Sequence, residues 1–471
     1  MFRKLISKYG LATHLALLAA IPVATTPFLA AQAVASATLW LAFFSAIWLF
    51  AEPSVRAGER HSDARQRVVF GILRDPISWF FFIAVVISFL RWLNSGIKMA
   101  YDAETSSWSV ASAAISFFPG SVESEGLMPL AVIVAAFVLV CGIRQGLGYN
   151  ARIWFGFFAA TVAGVGGMAA TICATCEMPV FSKAAACGFL DAPFWGSLFA
   201  PWVFFALAAG VHAEARRWGG VRVLSCVAVS GCVAALVFFA PPLIAAVYFV
   251  VAILFAMFCL AWASRVSSSG AAARCFVFLV FGSVVVVFLI LTLSSDEFRA
   301  AKLSALDPAV ALTEAWRETS ASLSRVAKAM WLKDPWCGVG IGAFPLQAPF
   351  LVQTGDWASL PPQPVRALNG YWMLLAERGV LGAAVLATGT LLLVGYYVRR
   401  LVGAWRFARS DEGGAFAFVC PPIVWIAPML LVLTLAEAPY SSIFSFSAFL
   451  LPFTAALALA AAAFPKPKEV A

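Results

Sequence analysis

Twelve stretches of this chain stay apolar, without alternation, for about the 20 residues that a membrane-spanning helix needs. They lie near 11–30, 34–51, 75–93, 128–143, 153–173, 195–212, 222–240, 243–262, 275–293, 370–397, 415–436 and 444–464. Lipid admits only helices and closed barrels, because no water is present to satisfy backbone N–H and C=O groups. Barrel strands alternate and are shorter, so continuous runs of this length predict helices. Composition agrees: the chain is 62% hydrophobic and 12% charged, with a mean hydropathy of +0.91. No soluble domain of 471 residues could cover that much apolar surface. The expectation is an all-α polytopic membrane bundle of about twelve transmembrane helices. Residues 11–30 do not read as a cleaved signal, since a second span follows at once.

The net charge of +9 would suggest nucleic acid in a soluble protein. Here basic loops on one membrane face account for it, and nucleic acid is not an expected partner. Twenty Lys and Arg fall in the termini and alternate inter-span segments, among them Arg65, Arg67, Arg144, Arg152, Arg399 and Arg400. The opposite short loops hold only Lys98 and Lys183. The positive-inside rule then places both termini in the cytoplasm and the long loop 294–368 outside. That loop carries seven basic and seven acidic side chains, which suits a translocated segment insensitive to the rule. The chain thus divides into spans one to nine (1–293), the outward loop (294–368), and spans ten to twelve with a tail (369–471).

Six cysteines sit in or near spans and read as small apolar packers: Cys141, Cys226, Cys232, Cys259, Cys275 and Cys420. Cys173-Ala-Thr-Cys176 has CxxC spacing without a second ligand pair, and Cys187 could bridge to either cysteine in an oxidising compartment. No outward loop clusters His, Asp or Glu at metal-ligand spacing, so no metal or other cofactor is expected.

The chemistry is concentrated in the long loop and the head of span ten. Irregular loops longer than about 15 residues are uncommon unless functional. Residues 310–333 predict an amphipathic helix. Leu312, Trp316, Leu323, Val326, Met330 and Trp331 gather on one face, with Arg317, Arg325, Lys328, Glu314 and Glu318 on the other. Such a helix lies at the membrane surface or caps the bundle, and its basic face suits an anion such as a diphosphate. Pro335 ends it, and Gly338-Val-Gly-Ile-Gly342 lets the backbone turn and approach another element closely. Span ten opens at Asn369 and carries Glu377 and Arg378 about two turns in. Charges at that depth need a wet cavity or a partner. Gly379 and Gly382 permit close helix contact.

The order of these features resembles the O-antigen ligase/polymerase (Wzy/WaaL-like) family of polytopic membrane glycosyltransferases. The resemblance covers roughly residues 299–385. It rests on Lys333-Asp334-Pro335-x-x-Gly338-Val339-Gly340-x-Gly342-x-Phe344, then on Asn369 ahead of Leu374-Leu-Ala-Glu-Arg-Gly-Val-Leu-Gly382. It implies a GT-C-like architecture in a bacterial inner membrane, with the active loop periplasmic. It also implies transfer of a glycan from an undecaprenyl-diphosphate carrier to a hydroxyl of a glycolipid, such as lipid A core, or of a growing glycan. Metal and nucleotide sugar play no part in such a reaction.

Carried over residue by residue, the resemblance makes Arg317 the loop cation that meets the diphosphate, with Arg299 and Arg325 as the other candidates. Lys328 and Arg366 join them as donor contacts. The family's histidine would stand at Leu368, and its earlier arginine near Ala240-Pro241-Pro242, where there is none. Asn369 or Glu377 is then expected to orient the acceptor hydroxyl. Arg91, with Lys98, is expected to supply the second diphosphate contact, and Glu437 to line the same cavity. A structural role for Glu377, paired with Arg378 or Arg366, is the alternative. Two other functions stay open: a non-catalytic member that binds or assembles lipid-linked glycans, and a transporter.

Overall fold

The computed structural model describes residues 9–25, 28–29, 31–53, 60–102, 107–111, 121–175, 195–215, 221–239, 242–266, 314–351, 367, 369–409, 421–439 and 450–463. The ninth apolar run, Arg299, Arg366, Leu368, Cys176 and Cys187 lie outside them, as do the side chains of 314–320, Arg317 included.

The first half of the chain forms helices α1 (Gly10–Thr25), α2 (Ala31–Ala51), α3 (His61–Leu73), α4 (Pro76–Leu93), α5 (Glu123–Cys141), α6 (Tyr149–Thr175), α7 (Trp195–Ala215), α8 (Val221–Phe239) and α9 (Pro242–Val266). The second half forms α10 (Glu314–Lys333), α11 (Phe344–Leu351), α12 (Gly370–Arg409), α13 (Ile426–Glu437) and α14 (Leu450–Ala463). A π-helical turn, Gly142–Gly146, extends α5, and a 3-10 turn, Pro422–Trp425, leads into α13. Among the described residues, the strands form one antiparallel hairpin, β1 (Lys98–Asp102) with β2 (Ser107–Ala111), in the register Lys98↔Ala111 to Asp102↔Ser107.

Among the described residues, six helices are long and apolar enough to cross a membrane by length and composition, and five more apolar helices are shorter. This is a helical membrane protein. Its surface bears that out: Trp40, Phe43 and Phe44 on α2, and Val385, Leu391 and Leu392 on α12, are exposed. Water would penalise such a surface at about 25 cal/mol per Å² of apolar area, whereas lipid would not.

The centre of the bundle is built from α1, α6, α7, α8 and α14, where Trp154, Trp202, Phe204 and Phe205 are almost fully buried. The α6–α8 contact is close because it has no side chains at its crossing: a Cβ on Gly231 would meet the Gly164 backbone. Several polar groups inside find partners within the bundle. Thr38, Thr161 and Thr171 each donate to the carbonyl one turn back, and Trp154 donates its indole N–H to Thr13 (3.0 Å).

Asp75 fixes the start of α4 in two ways. It caps the helix by accepting from Ile77 N–H (3.3 Å) and Ser78 Oγ (2.9 Å), with Pro76 at the first turn, where its missing N–H costs nothing. It also pairs with Arg144, at 2.7 Å, across to the π-turn, and not with its neighbour Arg74. Cys141, Cys226, Cys232 and Cys259 sit in helices as expected, and Cys173 and Cys337 are unbridged.

Candidate functional site

The amphipathic helix forms over Glu314–Lys333, within the expected span. Its apolar face is where the 3.6-residue spacing puts it: Leu323, Val326 and Met330 are buried. They are not covered by lipid, however. With Ala327 they form a second, separate core against Phe344 and Ala348 of α11, Ala367, and Met373 and Ala376 of α12. The helix caps the bundle by packing on the head of α12. Its opposite face stays exposed at Arg325 and Lys328. Arg325 donates to Ser322 Oγ (2.9 Å), and the Lys328 ammonium lies 6.0 Å from the Trp372 ring centre.

Span ten does not run straight. Gly379 adopts φ 62° and ψ −175°, which interrupts α12 after its first turns. An interruption there removes two ladder bonds, Val380 N–H to Ala376 C=O and Leu381 N–H to Glu377 C=O. The loop after α10 replaces both. Val339 N–H donates to Ala376 C=O (2.8 Å) and Gly340 N–H to Glu377 C=O (3.1 Å). In return Val380 N–H donates to Pro335 C=O (2.8 Å) and Leu381 N–H to Trp336 C=O (3.1 Å). Gly338, Gly340 and Gly342 all have positive φ, which side chains disfavour. The glycine loop is therefore shaped to close the broken helix.

Glu377 is 7% exposed, and its Oε1 accepts from Gly342 N–H (2.8 Å). This gives the carboxylate a structural job, holding the far end of the glycine loop. Asn369 is a helix cap: its Oδ1 accepts from Tyr371 and Trp372 N–H, both at 3.1 Å. Glu377 Oε1 and Asn369 Oδ1, on the two side chains expected to orient an acceptor hydroxyl, thus already accept from backbone donors.

Two further elements reach this end. The C-terminus of α13 meets the start of α12 through Gly370 N–H to Ala438 C=O (2.7 Å) and Tyr371 OH to Leu435 C=O (2.9 Å). That contact brings in Glu437, 4% exposed, whose Oε2 accepts from Tyr248 OH of α9 at 2.9 Å. The other element is α4. Its last turn carries Arg91, whose terminal nitrogen would lie 3.6 Å from a Cβ on Gly382. Arg91 is within electrostatic range of Arg378, Cys337 and Glu377. Its Nε is buried and has no hydrogen-bond partner among the described residues. Lys98 stands nearby in sequence but is exposed on the hairpin. The segment after the hairpin completes the assembly, since Val122 N–H donates to Ile341 C=O (2.9 Å).

The structure thus brings Arg91, Glu377, Asn369 and Glu437 to one end of the bundle, with Lys328 and Arg325 on the capping helix. Sequence reasoning missed Tyr248, which looked like an ordinary apolar-span residue, and treated Arg378 only as a partner for Glu377. Arg378 lies within electrostatic range of Glu377, as expected, and also of Arg91, beside the glycine loop. The two guanidinium groups repel each other, Glu377 offsets part of that repulsion from within range of both, and an anion bound beside them would offset more. Among the described residues no group of His, Cys, Asp and Glu is placed to hold a metal ion. No protein-family model matches the chain, and no curated protein does either.

Proposed function

We propose that this protein is an O-antigen ligase-like glycosyltransferase. In this reading it moves a glycan from an undecaprenyl-diphosphate carrier to a hydroxyl of a glycolipid or growing glycan at the periplasmic face of a bacterial inner membrane. One observation carries the reading. The two motifs that resemble the family, 335–344 and 369–382, are far apart in sequence yet close on each other by four reciprocal backbone bonds, next to an arginine pair.

The chemistry needs little else. The bond between the sugar C1 and the diphosphate oxygen breaks, and a bond forms from C1 to the acceptor oxygen. The leaving diphosphate carries the charge, so Arg91 and Arg378 stabilise it, joined by the loop cations Arg317, Arg325 and Lys328. Arg299 and Arg366 belong to the same proposed donor contacts. The acceptor proton passes to a carboxylate at this end. We assign this to Glu437, whose Oε2 accepts from a side-chain hydroxyl, Tyr248, rather than to Glu377, whose Oε1 holds the glycine-loop backbone, or to Asn369, which caps the helix.

The test is transfer by the purified protein in nanodiscs. The donor is a polyprenyl-diphosphate glycan and the acceptor a lipid A core or an oligosaccharide. Arg91→Gln, Arg378→Gln and Arg317→Ala should each abolish transfer with unchanged folding. Donor binding without transfer to any acceptor would replace this reading with a non-catalytic glycan-binding member. Solute flux into liposomes with no donor binding would replace it with a transporter.

A further inference from the structure

At the opposite end of the bundle lies a cavity of about 610 Å³ that the proposed transfer does not use. Among the described residues, five arginines line it, Arg67, Arg74, Arg144, Arg152 and Arg400, and no carboxylate does. They come from α3 and its C-cap, the π-turn, α6 and the far end of α12. Positive-inside bias explains why arginines are found at this end, but not why five converge on one concavity.

The cluster is built rather than scattered. The π-turn Gly142–Gly146 carries Arg144 into it, and such turns recur at functional sites. Arg144 is only 10% exposed. Its Nη2 donates to Asp75 (2.7 Å) and to Tyr396 OH (3.3 Å). Its Nε and Nη1 are buried with no partner among the described residues, and so is Arg400 Nε. Arg144 and Arg400 both stack on the Tyr396 ring, at 5.6 and 5.7 Å. Arg67 and Arg152 are held by backbone carbonyls, Arg67 by Gln145 (3.2 Å) and Arg152 by Ala462 (2.8 Å). Asp75, bonded to Arg144, neutralises one charge of the five. Buried donors without acceptors are costly, and a multivalent oxyanion would satisfy them.

We propose that this cavity binds a phosphate-bearing anion, either a lipid headgroup or a free phosphate compound. The rim favours the lipid form. Val69, Phe70 and Leu73 of α3 are exposed beside the arginines and would lie along acyl chains.

The experiment measures saturable binding to the full-length protein in neutral detergent. The probes are dioleoylphosphatidylglycerol, dioleoylphosphatidylcholine, inorganic phosphate and pyrophosphate. One variant removes lining charge (Arg74→Gln with Arg400→Gln). A second removes equal charge from exposed positions at the same end of the bundle (Arg60→Gln with Arg65→Gln). Anionic-probe binding should weaken roughly tenfold or more in the first and stay within about twofold in the second. Binding of phosphatidylglycerol but not of pyrophosphate or phosphate identifies a lipid headgroup, and the reverse identifies a soluble anion. If the double variant does not fold, Arg400→Lys keeps the charge, loses the planar fork and should still weaken binding. Equal weakening by the lining and exposed variants, or no saturable binding of any phosphate probe, overturns the proposal.

Discussion

Gly338 and Gly379 face each other with only backbone between them. A Cβ on Gly338 would meet Glu377 C and Gly379 N at 2.5 Å, and a Cβ on Gly379 would meet the Trp336 carbonyl and the Gly338 nitrogen. Both also have positive φ. Gly338→Ala and Gly379→Ala should each destabilise the protein by at least about 1–2 kcal/mol from the backbone alone, with overlap adding to it. A lowered thermal midpoint in detergent, larger than that of Gly395→Ala, checks this. Gly395 has open space around it.

Glu377 separates structure from charge. Glu377→Gln keeps an oxygen for Gly342 N–H, whereas Glu377→Ala removes it and should cost about 1–3 kcal/mol. The glutamine variant is expected to lower the midpoint less than Glu377→Ala, through lost attraction to Arg91 and Arg378, and to retain transfer. Loss of transfer in that variant with stability intact would make the carboxylate part of the chemistry.

Tyr248 and Glu437 are expected to act as one unit. A hydrogen bond to a charged group contributes about 1.5–3 kcal/mol. A double-mutant cycle of Tyr248→Phe and Glu437→Gln, read by thermal or denaturant unfolding, should show coupling. Additive effects would mean that the 2.9 Å contact contributes nothing of its own.

At the other end, Asp75→Asn keeps the helix cap but removes the charge facing Arg144. Leaving a buried guanidinium without its partner should cost about 3–5 kcal/mol. Comparing unfolding midpoints of Asp75→Asn and Asn369→Asp checks this, since the latter preserves a cap and should be near neutral.

The bundle was legible because apolar length and charge asymmetry are properties of single segments. The buried face of α10 was legible too, since Leu323, Val326 and Met330 recur at helical spacing. What covers that face was not, because lipid and the flank of α12 are equally apolar. The break at Gly379 was hidden for a related reason. A glycine in a helix reads the same whether it serves helix packing or a left-handed turn, and only the partner loop decides. Arg144 and Arg400 looked like topology signals; their convergence depends on residues more than 250 positions apart, as the Arg144–Tyr396 bond shows.

The bend in α12 is latched rather than loose. A helix interrupted at glycine ordinarily flexes, but here four hydrogen bonds across the gap belong to residues 335–340. The first turns of α12 therefore cannot swing until that strap lets go, and α10 and α11 must travel with them. Movement of this outer assembly against the membrane helix would open all four bonds together, and with them eight backbone groups that are paired when it is seated.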